Sequence, residues 1–310
     1  MRYCGMEAAC NERRVCVHFT IANDGFHGNW YKPKQDRFPG KAMIVFGGSA
    51  GSFSLTKMCA ERFCEAGMNV IATAYRDVPG APSCLYGIPI ELIENAAKWC
   101  KENVADKIGV WGISLGGQLA FLTGSLCSDL ISCVVAVNPM HFSMQGIGSF
   151  QTLAPVDRSC FTFRGKDLDY IPFGVSQKEL QRRIREDSRR YREYKYIRGF
   201  YEEFISGMDQ DADYMIPIEH TKGAILMISA GQDTMLPSKR ICETVYQRLQ
   251  DKGFAYPVIH KNYDAASHLL FPIKPLEANI FRVERKNPKQ CKANRETAWE
   301  DTLSFLKEMW

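Results

Sequence analysis

The sequence lacks any long apolar run. No stretch approaches the roughly eighteen consecutive apolar residues of a membrane-spanning helix. The first residues, MRYCGMEAACNERR, contain no apolar segment of the length that a secretory signal needs. The twelve cysteines include no C-x-x-C pair, so we interpret them as reduced, mostly buried thiols. These absences predict a cytoplasmic protein with no membrane partner.

A strong charge of either sign is also lacking. The formal net charge is only +4 over 310 residues, without a dominant basic stripe, which argues against nucleic acid as the main partner. Hydrophobic residues make up 45% and charged residues 24%, ordinary values that exclude a disordered or fibrous chain. No internal repeat is found. The length suits one large α/β domain, so we predict a single domain over 1–310.

What the sequence does contain is an alternation of strand-like and helix-like segments. The predicted strands, rich in Val, Ile and Phe, are 42–46, 69–74, 107–112, 133–137, 224–229 and 256–260. The predicted helices are 55–67, 88–103, 115–127, 239–253 and 297–309. This order predicts an α/β fold with a mostly parallel, doubly wound sheet.

Two segments interrupt that alternation. Residues 1–40 combine an alternating apolar run at 15–22 with a polar, turn-rich stretch, which predicts an antiparallel hairpin at the sheet edge. Residues 141–222 contain a charged, helix-like stretch at 177–204 that is flanked by glycines. We interpret this second segment as an inserted helical cap.

A G-x-S-x-G motif lies between a predicted strand and a predicted helix. Gly112, Ser114 and Gly116 form it within GISLGG, directly after the strand and directly before an apolar helix. That context is the one the nucleophile elbow of the α/β-hydrolase fold requires, whereas a chance match needs no such flanks. We predict that Ser114 is a nucleophile, and that the amide of Leu115, at the helix start, helps to stabilise an oxyanion.

The acid and the base of a triad follow the nucleophile in chain order in this fold. Asp233 lies just beyond the strand 224–229 and is the predicted acid. Asp264 is the weaker candidate, because it lies too close in sequence to the histidine loop. The carboxylates of the charged insertion, Asp209, Asp211 and Asp213, are expected on a solvated surface.

The predicted general base is His268, which follows the last predicted strand in a loop of small residues. His260 lies within or at the end of that strand and is expected to pack or hydrogen-bond locally. The remaining histidines precede the acid in sequence and are expected in core or surface positions: His18, His27, His141 and His220.

A glycine-rich segment, GGSAGS at 47–52, follows the strand 42–46. We expect its amide at Gly48, or alternatively at Ser49, to be the second oxyanion donor. The segment also resembles a phosphate-binding loop, but it lacks the Gly-Lys-Ser/Thr ending of such loops. No metal and no bound cofactor is expected.

Several segments together resemble one family, the C-terminal catalytic domain shared by acyl-CoA thioesterases and bile acid-CoA:amino acid N-acyltransferase. The segments are IVFGGSAG, YGIPIELIENAAKW, GISLGG, VVAVNP, IPIEHTKGAILMISAGQD, SHLLFPIKP and AWEDTLSFLKE. The resemblance spans roughly 40–310. It implies the same triad, Ser114, Asp233 and His268. In that family a serine nucleophile accompanies hydrolysis and a cysteine accompanies amino-acid transfer, so the resemblance favours a hydrolase.

The sequence departs from the family pattern in ways that bear on the substrate. The family has a long β-sandwich domain where these 310 residues have only a hairpin-like segment. The histidine loop reads DAASH instead of a glycine-rich turn. In the stretch 177–204, arginines either form a solvated, ion-paired face or bind the phosphates of coenzyme A. Its aromatic residues either line an acyl pocket or pack the cap.

The expected function is cleavage of an ester or thioester, with a small-molecule acyl ester or acyl-CoA as substrate and an acyl-enzyme intermediate. Three alternatives stay open. They are a carboxylesterase or peptidase of the same fold, an acyl-CoA:amino acid N-acyltransferase, and a catalytically silent binding protein.

Overall fold

The computed structural model describes residues 15–49, 53–148, 153–272 and 278–310. Its strands are β1 (Val15–Phe19), β2 (His27–Tyr31), β3 (Lys41–Phe46), β4 (Asn69–Ala74), β5 (Ile88–Pro89), β6 (Lys107–Ile113), β7 (Ile131–Val137), β8 (Gln145–Ile147), β9 (Pro155–Ser159), β10 (Phe161–Phe163), β11 (Lys166–Asp167), β12 (Ala224–Ala230) and β13 (Val258–Tyr263). Its helices are α1 (Ile21–Asp24), α2 (Phe53–Glu65), α3 (Glu91–Asn103), α4 (Leu115–Leu126), α5 (Gln177–Tyr191), α6 (Arg198–Ser206), α7 (Ser238–Asp251), α8 (Arg282–Lys286) and α9 (Pro288–Glu308), with a 3₁₀ turn at Ile218–His220.

Eight strands form the central sheet, in the order β1-β2-β4-β3-β6-β7-β12-β13. In this order, the six strands β4, β3, β6, β7, β12 and β13 run parallel to one another. At one edge β2 pairs antiparallel with β4, and β1 pairs antiparallel with β2. The mostly parallel sheet that the sequence predicted is confirmed. The strands β1 and β2 lie within the predicted edge hairpin, of which residues 1–14 lie outside the described part of the chain.

Both faces of the sheet are covered, because successive side chains of each strand point to opposite sides. In β6, Val110 packs into the cluster that includes residues of α3, α4 and α7, whereas Trp111 packs into the cluster that includes residues of α2 and α9. The central strands are therefore apolar along most of their length, as is typical of parallel sheets with helices on both faces.

Two elements near the end of the chain differ from the predicted bounds. The last strand runs over Val258–Tyr263 instead of 256–260, because it lies at the sheet edge, where polar side chains such as Lys261 are tolerated. Helix α9 begins at Pro288, well before 297. Its first half is mostly polar and hides the helical pattern, and one buried position there is occupied by Arg295.

The segment 141–222 contains short strands as well as helices; residues 149–152 within it lie outside the described part. The charged stretch 177–204 is two helices, not one. Helix α5 starts at the cap Ser176, whose hydroxyl accepts the amide of Glu179, and ends where Arg192 adopts a left-handed φ of 58°. Helix α6 follows after a short turn and packs against α5.

No helix in the described ranges is long and apolar enough to cross a membrane.

Candidate active site

Ser114 lies at the sharp turn between β6 and α4. Its backbone has φ 58° and ψ −121°, a region that non-glycine residues rarely adopt and that costs about 1–3 kcal/mol. The Ser114 amide donates to the carbonyl of Val137, at the end of the neighbouring strand, over 2.8 Å. The turn thus fixes the serine at the carboxyl edge of the sheet.

The glycines of the motif are required by close backbone contacts. A Cβ at Gly112 would lie 2.1 Å from the carbonyl oxygen of Gly116, and a Cβ at Gly116 would lie 2.3 Å from the carbonyl oxygen of Gly47. Neither backbone atom can move away without disrupting the sheet or the loop. The G-x-S-x-G spacing is therefore a steric condition for the turn.

Asp233 and His268 are joined by a hydrogen bond. The Nδ1 atom of His268 lies 2.8 Å from Oδ2 of Asp233, and both side chains are buried. The other carboxylate oxygen, Oδ1, accepts the amides of Met235 (2.8 Å) and Leu236 (3.1 Å). These two donors fix the carboxylate, which in turn orients the imidazole ring.

Ser114 and His268 line the same cavity. No hydrogen bond joins their side chains in the described structure, and catalytic hydrogen bonds are often long before substrate binds. The rival residues have other contacts: Oδ1 of Asp264 accepts the side-chain amide of Asn262. The ring of His260 hydrogen-bonds to the Ser229 hydroxyl at 2.7 Å.

The two predicted oxyanion donors flank Ser114. A Cβ on Gly48 would lie 3.2 Å from Cβ of Ser114, so the two residues are in direct contact. Leu115 is the first residue of α4, where amides have no intrahelical acceptor. The Tyr75 hydroxyl donates to the Gly47 carbonyl over 2.9 Å and holds the loop in place.

Asn138 connects three elements of the site and was not singled out by the sequence. It follows β7 with a left-handed φ of 44° and is fully buried. Its side-chain nitrogen donates to the His268 carbonyl (2.8 Å), and its side-chain oxygen accepts the amide of Ala230 (2.9 Å). Asn138 thus joins the loop that carries His268 to β12, the strand that precedes Asp233. An Asn directly after a strand is the available sequence signal, since Asn tolerates this backbone region.

A second buried network supports the histidine loop. The hydroxyl of Ser267 donates to Glu284 (2.6 Å), and Glu284 pairs with Arg295 (2.5 Å) with both charged groups almost completely buried. The side chain of Asn294 also donates to the Ala265 carbonyl. Residues of α8 and α9 therefore hold the loop that carries His268.

Two cavities meet at Ser114. The first, here called the histidine cavity, has a volume of about 170 Å³. Its described lining includes Gly48, Ser114, Tyr194, Lys195, His268, Leu269, Phe271, Ile280 and Phe281. The second, here called the methionine cavity, has a volume of about 60 Å³. Its described lining includes Leu85, Ser114, Leu115, Met140, Met144, Ile147, Leu153, Ile197, Tyr201 and Leu236.

Three arginines on helices α5 and α6 of the cap form ion pairs. Arg182 and Arg183 pair with glutamates of α5 and α6, and Arg198 pairs with Glu202 and donates to the Asp233 carbonyl. Arg182 and Arg183 connect residues of the cap, and Arg198 connects the cap to the loop that carries Asp233. Lys195 is the only cation among the described residues that line the histidine cavity, and burial lowers the pKa of its ammonium group.

Some aromatic residues of the segment 141–222 pack against one another, and others line the cavities. Phe173, Phe200 and Phe204 contact one another, and Phe204 also contacts Phe142. Tyr194 lines the histidine cavity and Tyr201 lines the methionine cavity. Within the described residues, no group of His, Cys, Asp and Glu is arranged to hold a metal ion.

Comparison with known proteins gives a consistent family. A family model described as "BAAT / Acyl-CoA thioester hydrolase C terminal" matches residues 88–309. Peroxisomal succinyl-coenzyme A thioesterase of Mus musculus is 26% identical over 289 residues, which cover 88% of this chain and 61% of that protein. Acyl-coenzyme A thioesterase 1 of Homo sapiens is 24% identical over 247 residues, which cover 79% of this chain and 52% of that protein. The chain thus spans between half and two thirds of these relatives.

Solved structures share the fold. An α/β hydrolase, MGS-M1, from a deep-sea metagenome library superposes with a TM-score of 0.54 at 14% identity, covering 94% of this chain and 96% of that one. The Pyrococcus furiosus esterase Pf2001 superposes with a TM-score of 0.50 at 16% identity, covering 97% and 99%. The predicted α/β-hydrolase fold is confirmed.

Proposed function

The chain belongs to the BAAT / acyl-CoA thioester hydrolase C-terminal family, and from this premise we propose that it is a serine hydrolase of acyl thioesters or esters. The observation that carries the proposal is the buried Asp233–His268 hydrogen bond beside a serine on a strained turn. An acyl-CoA is the leading substrate, because the named relatives are acyl-CoA thioesterases.

The proposed reaction begins when Ser114 attacks the acyl carbonyl and passes its proton to Nε2 of His268. Asp233 stabilises the imidazolium that forms, and the amides of Gly48 and Leu115 bind the oxyanion. His268 then protonates the leaving group, and an acyl-Ser114 intermediate remains. Water, activated by the same histidine, hydrolyses this intermediate. Residues of the cap line both cavities at Ser114, among them Tyr194, Lys195 and Tyr201.

The test compares Ser114→Ala with Ser125→Ala. Ser125 is a buried serine of α4, the helix that follows Ser114, and among described residues its hydroxyl bonds only to the carbonyls of Phe121 and Leu122. Acyl-CoA and p-nitrophenyl ester hydrolysis should fall by several orders of magnitude in Ser114→Ala and persist in Ser125→Ala.

A fluorophosphonate probe adds a readout that does not depend on the choice of substrate, because only an activated serine reacts with it. The unmodified protein should be labelled on Ser114. Turnover that is unchanged in Ser114→Ala would remove this residue from the mechanism. A folded protein that is not labelled would favour the silent binding protein.

A further inference from the structure

The two cavities at Ser114 differ in which catalytic groups they contain. His268 lines the histidine cavity and is absent from the described lining of the methionine cavity, whereas Leu115 lines only the methionine cavity. Ser114 lines both. The carbonyl carbon under attack must therefore lie where the cavities meet, with one side of the substrate in each.

Proton transfer determines which side of the substrate occupies which cavity. His268 must lie within hydrogen-bond reach of the leaving atom in order to protonate it. The leaving group therefore occupies the histidine cavity. Because the acyl chain lies on the opposite side of the carbonyl, it extends into the methionine cavity.

The surroundings of the two cavities agree with this assignment. Tyr194 and Ile280, which line the histidine cavity, are 77% and 45% exposed, so a large leaving group can extend from that cavity into solvent. The methionine cavity is lined largely by core residues: Leu85, Met140 and Met144 are at most 4% exposed. Most of its described lining belongs to the main hydrophobic cluster or packs against it.

Resting on the proposed function, we propose that the methionine cavity is the acyl subsite and restricts the substrate to short, apolar acyl groups. The volume is about 60 Å³. Since a water-sized group occupies roughly 30 Å³ in the liquid, and a cavity of roughly 150 Å³ holds one benzene ring, the cavity holds about two methylene-sized groups. A longer chain would have to displace packed core side chains, which is unfavourable in a densely packed interior.

The test is the chain-length profile of kcat/KM on CoA thioesters from acetyl to hexadecanoyl, for the intact protein and its variants. With the unmodified protein, kcat/KM should peak at propanoyl to butanoyl and fall steeply from octanoyl onward. In Met144→Ala the optimum should move to a longer chain. The octanoyl to butanoyl ratio should rise roughly tenfold or more, since each additional buried methylene contributes about fourfold.

Three further variants separate the acyl subsite from general effects. Leu153→Ala enlarges the same cavity from a different segment and should shift the profile as Met144→Ala does. If one of these variants folds poorly, the other still tests the proposal. Met144→Leu conserves volume and should keep the original optimum. Ile280→Ala enlarges the histidine cavity and should leave the octanoyl to butanoyl ratio unchanged, and thermal melting verifies that each variant is folded.

Two results would overturn the assignment. One is equal or better hydrolysis of hexadecanoyl-CoA by the unmodified protein. The other is a shift of the chain-length profile in Ile280→Ala but not in the methionine-cavity variants, which would place the acyl group on the His268 side. If no thioester or ester is hydrolysed and Ser114 is not labelled, the proposed function itself fails.

Discussion

The proposed role of Asp233 as the acid is best tested by Asp233→Asn, because the structure dictates how the new amide must orient. In the native protein Oδ1 accepts two backbone amides, those of Met235 and Leu236, and Oδ2 faces Nδ1 of His268. Only the oxygen of an asparagine can accept the two amides. Its NH₂ group must therefore face Nδ1.

That orientation reverses the tautomer of the imidazole. A ring that accepts a hydrogen bond at Nδ1 carries its proton on Nε2, and it cannot take the proton of Ser114. We expect kcat to fall by about 10⁴-fold, which corresponds to about 5 kcal/mol in the activation free energy. The two backbone hydrogen bonds are retained, so stability should change little.

The assay is steady-state hydrolysis of one short acyl-CoA, with thermal melting to verify folding. Asp264→Asn is the matched control, since Asp264 lies in the same region and bonds to Asn262 in the described structure. It should keep nearly full activity. The reasoning would be refuted if a folded Asp233→Asn protein kept most of its activity, or if Asp264→Asn lost as much.

Two further predictions concern stability. Arg295→Met leaves Glu284 buried and unpaired, so the free energy of unfolding in urea should fall by about 3–5 kcal/mol, and adding Glu284→Gln should recover part of that loss. A loss near zero would contradict this. Burial lowers the pKa of His141 from its ordinary value of 6.5 to about 4. The unfolded chain therefore binds more protons between these values, and stability should decrease as the pH falls through this range, by roughly 3 kcal/mol in total. In His141→Phe, the difference between the free energies of unfolding in urea at neutral pH and at pH about 4.5 should be smaller than in the unmodified protein. An unchanged difference would exclude His141 as the cause.

The sequence was sufficient to predict the positions of residues that follow from local rules. G-x-S-x-G needs a strand before it and a helix after it, and Asp233 and His268 each follow a strand near the sheet edge. The observed bounds of the last strand and the last helix differ from the predicted 256–260 and 297–309. An edge strand and a half-exposed helix carry polar residues, and these obscure the periodicity from which the bounds were predicted.

Other features depend on contacts that no local pattern encodes. Arg295 lies on α9 and forms its buried ion pair with Glu284, a residue of another helix. The methionine cavity is bounded by side chains that come from the cap and from the loops after several strands. Its volume is set by their packing, and a sequence shows residue types but not the space between them.

The end of strand β7 connects Ser114 to the loop that carries His268. The carbonyl of Val137 accepts the Ser114 amide, and the next residue, Asn138, donates to the His268 carbonyl. Asn138 also accepts the amide of Ala230, three residues before Asp233. A shift of β7 against its neighbours would therefore move these contacts together. Because β7 is paired on both sides with parallel strands in the centre of the sheet, such a shift would break two ladders at once. The sheet thus holds the relative positions of Ser114, Asp233 and His268, while the cap and the loops are free to differ in what they admit to the site.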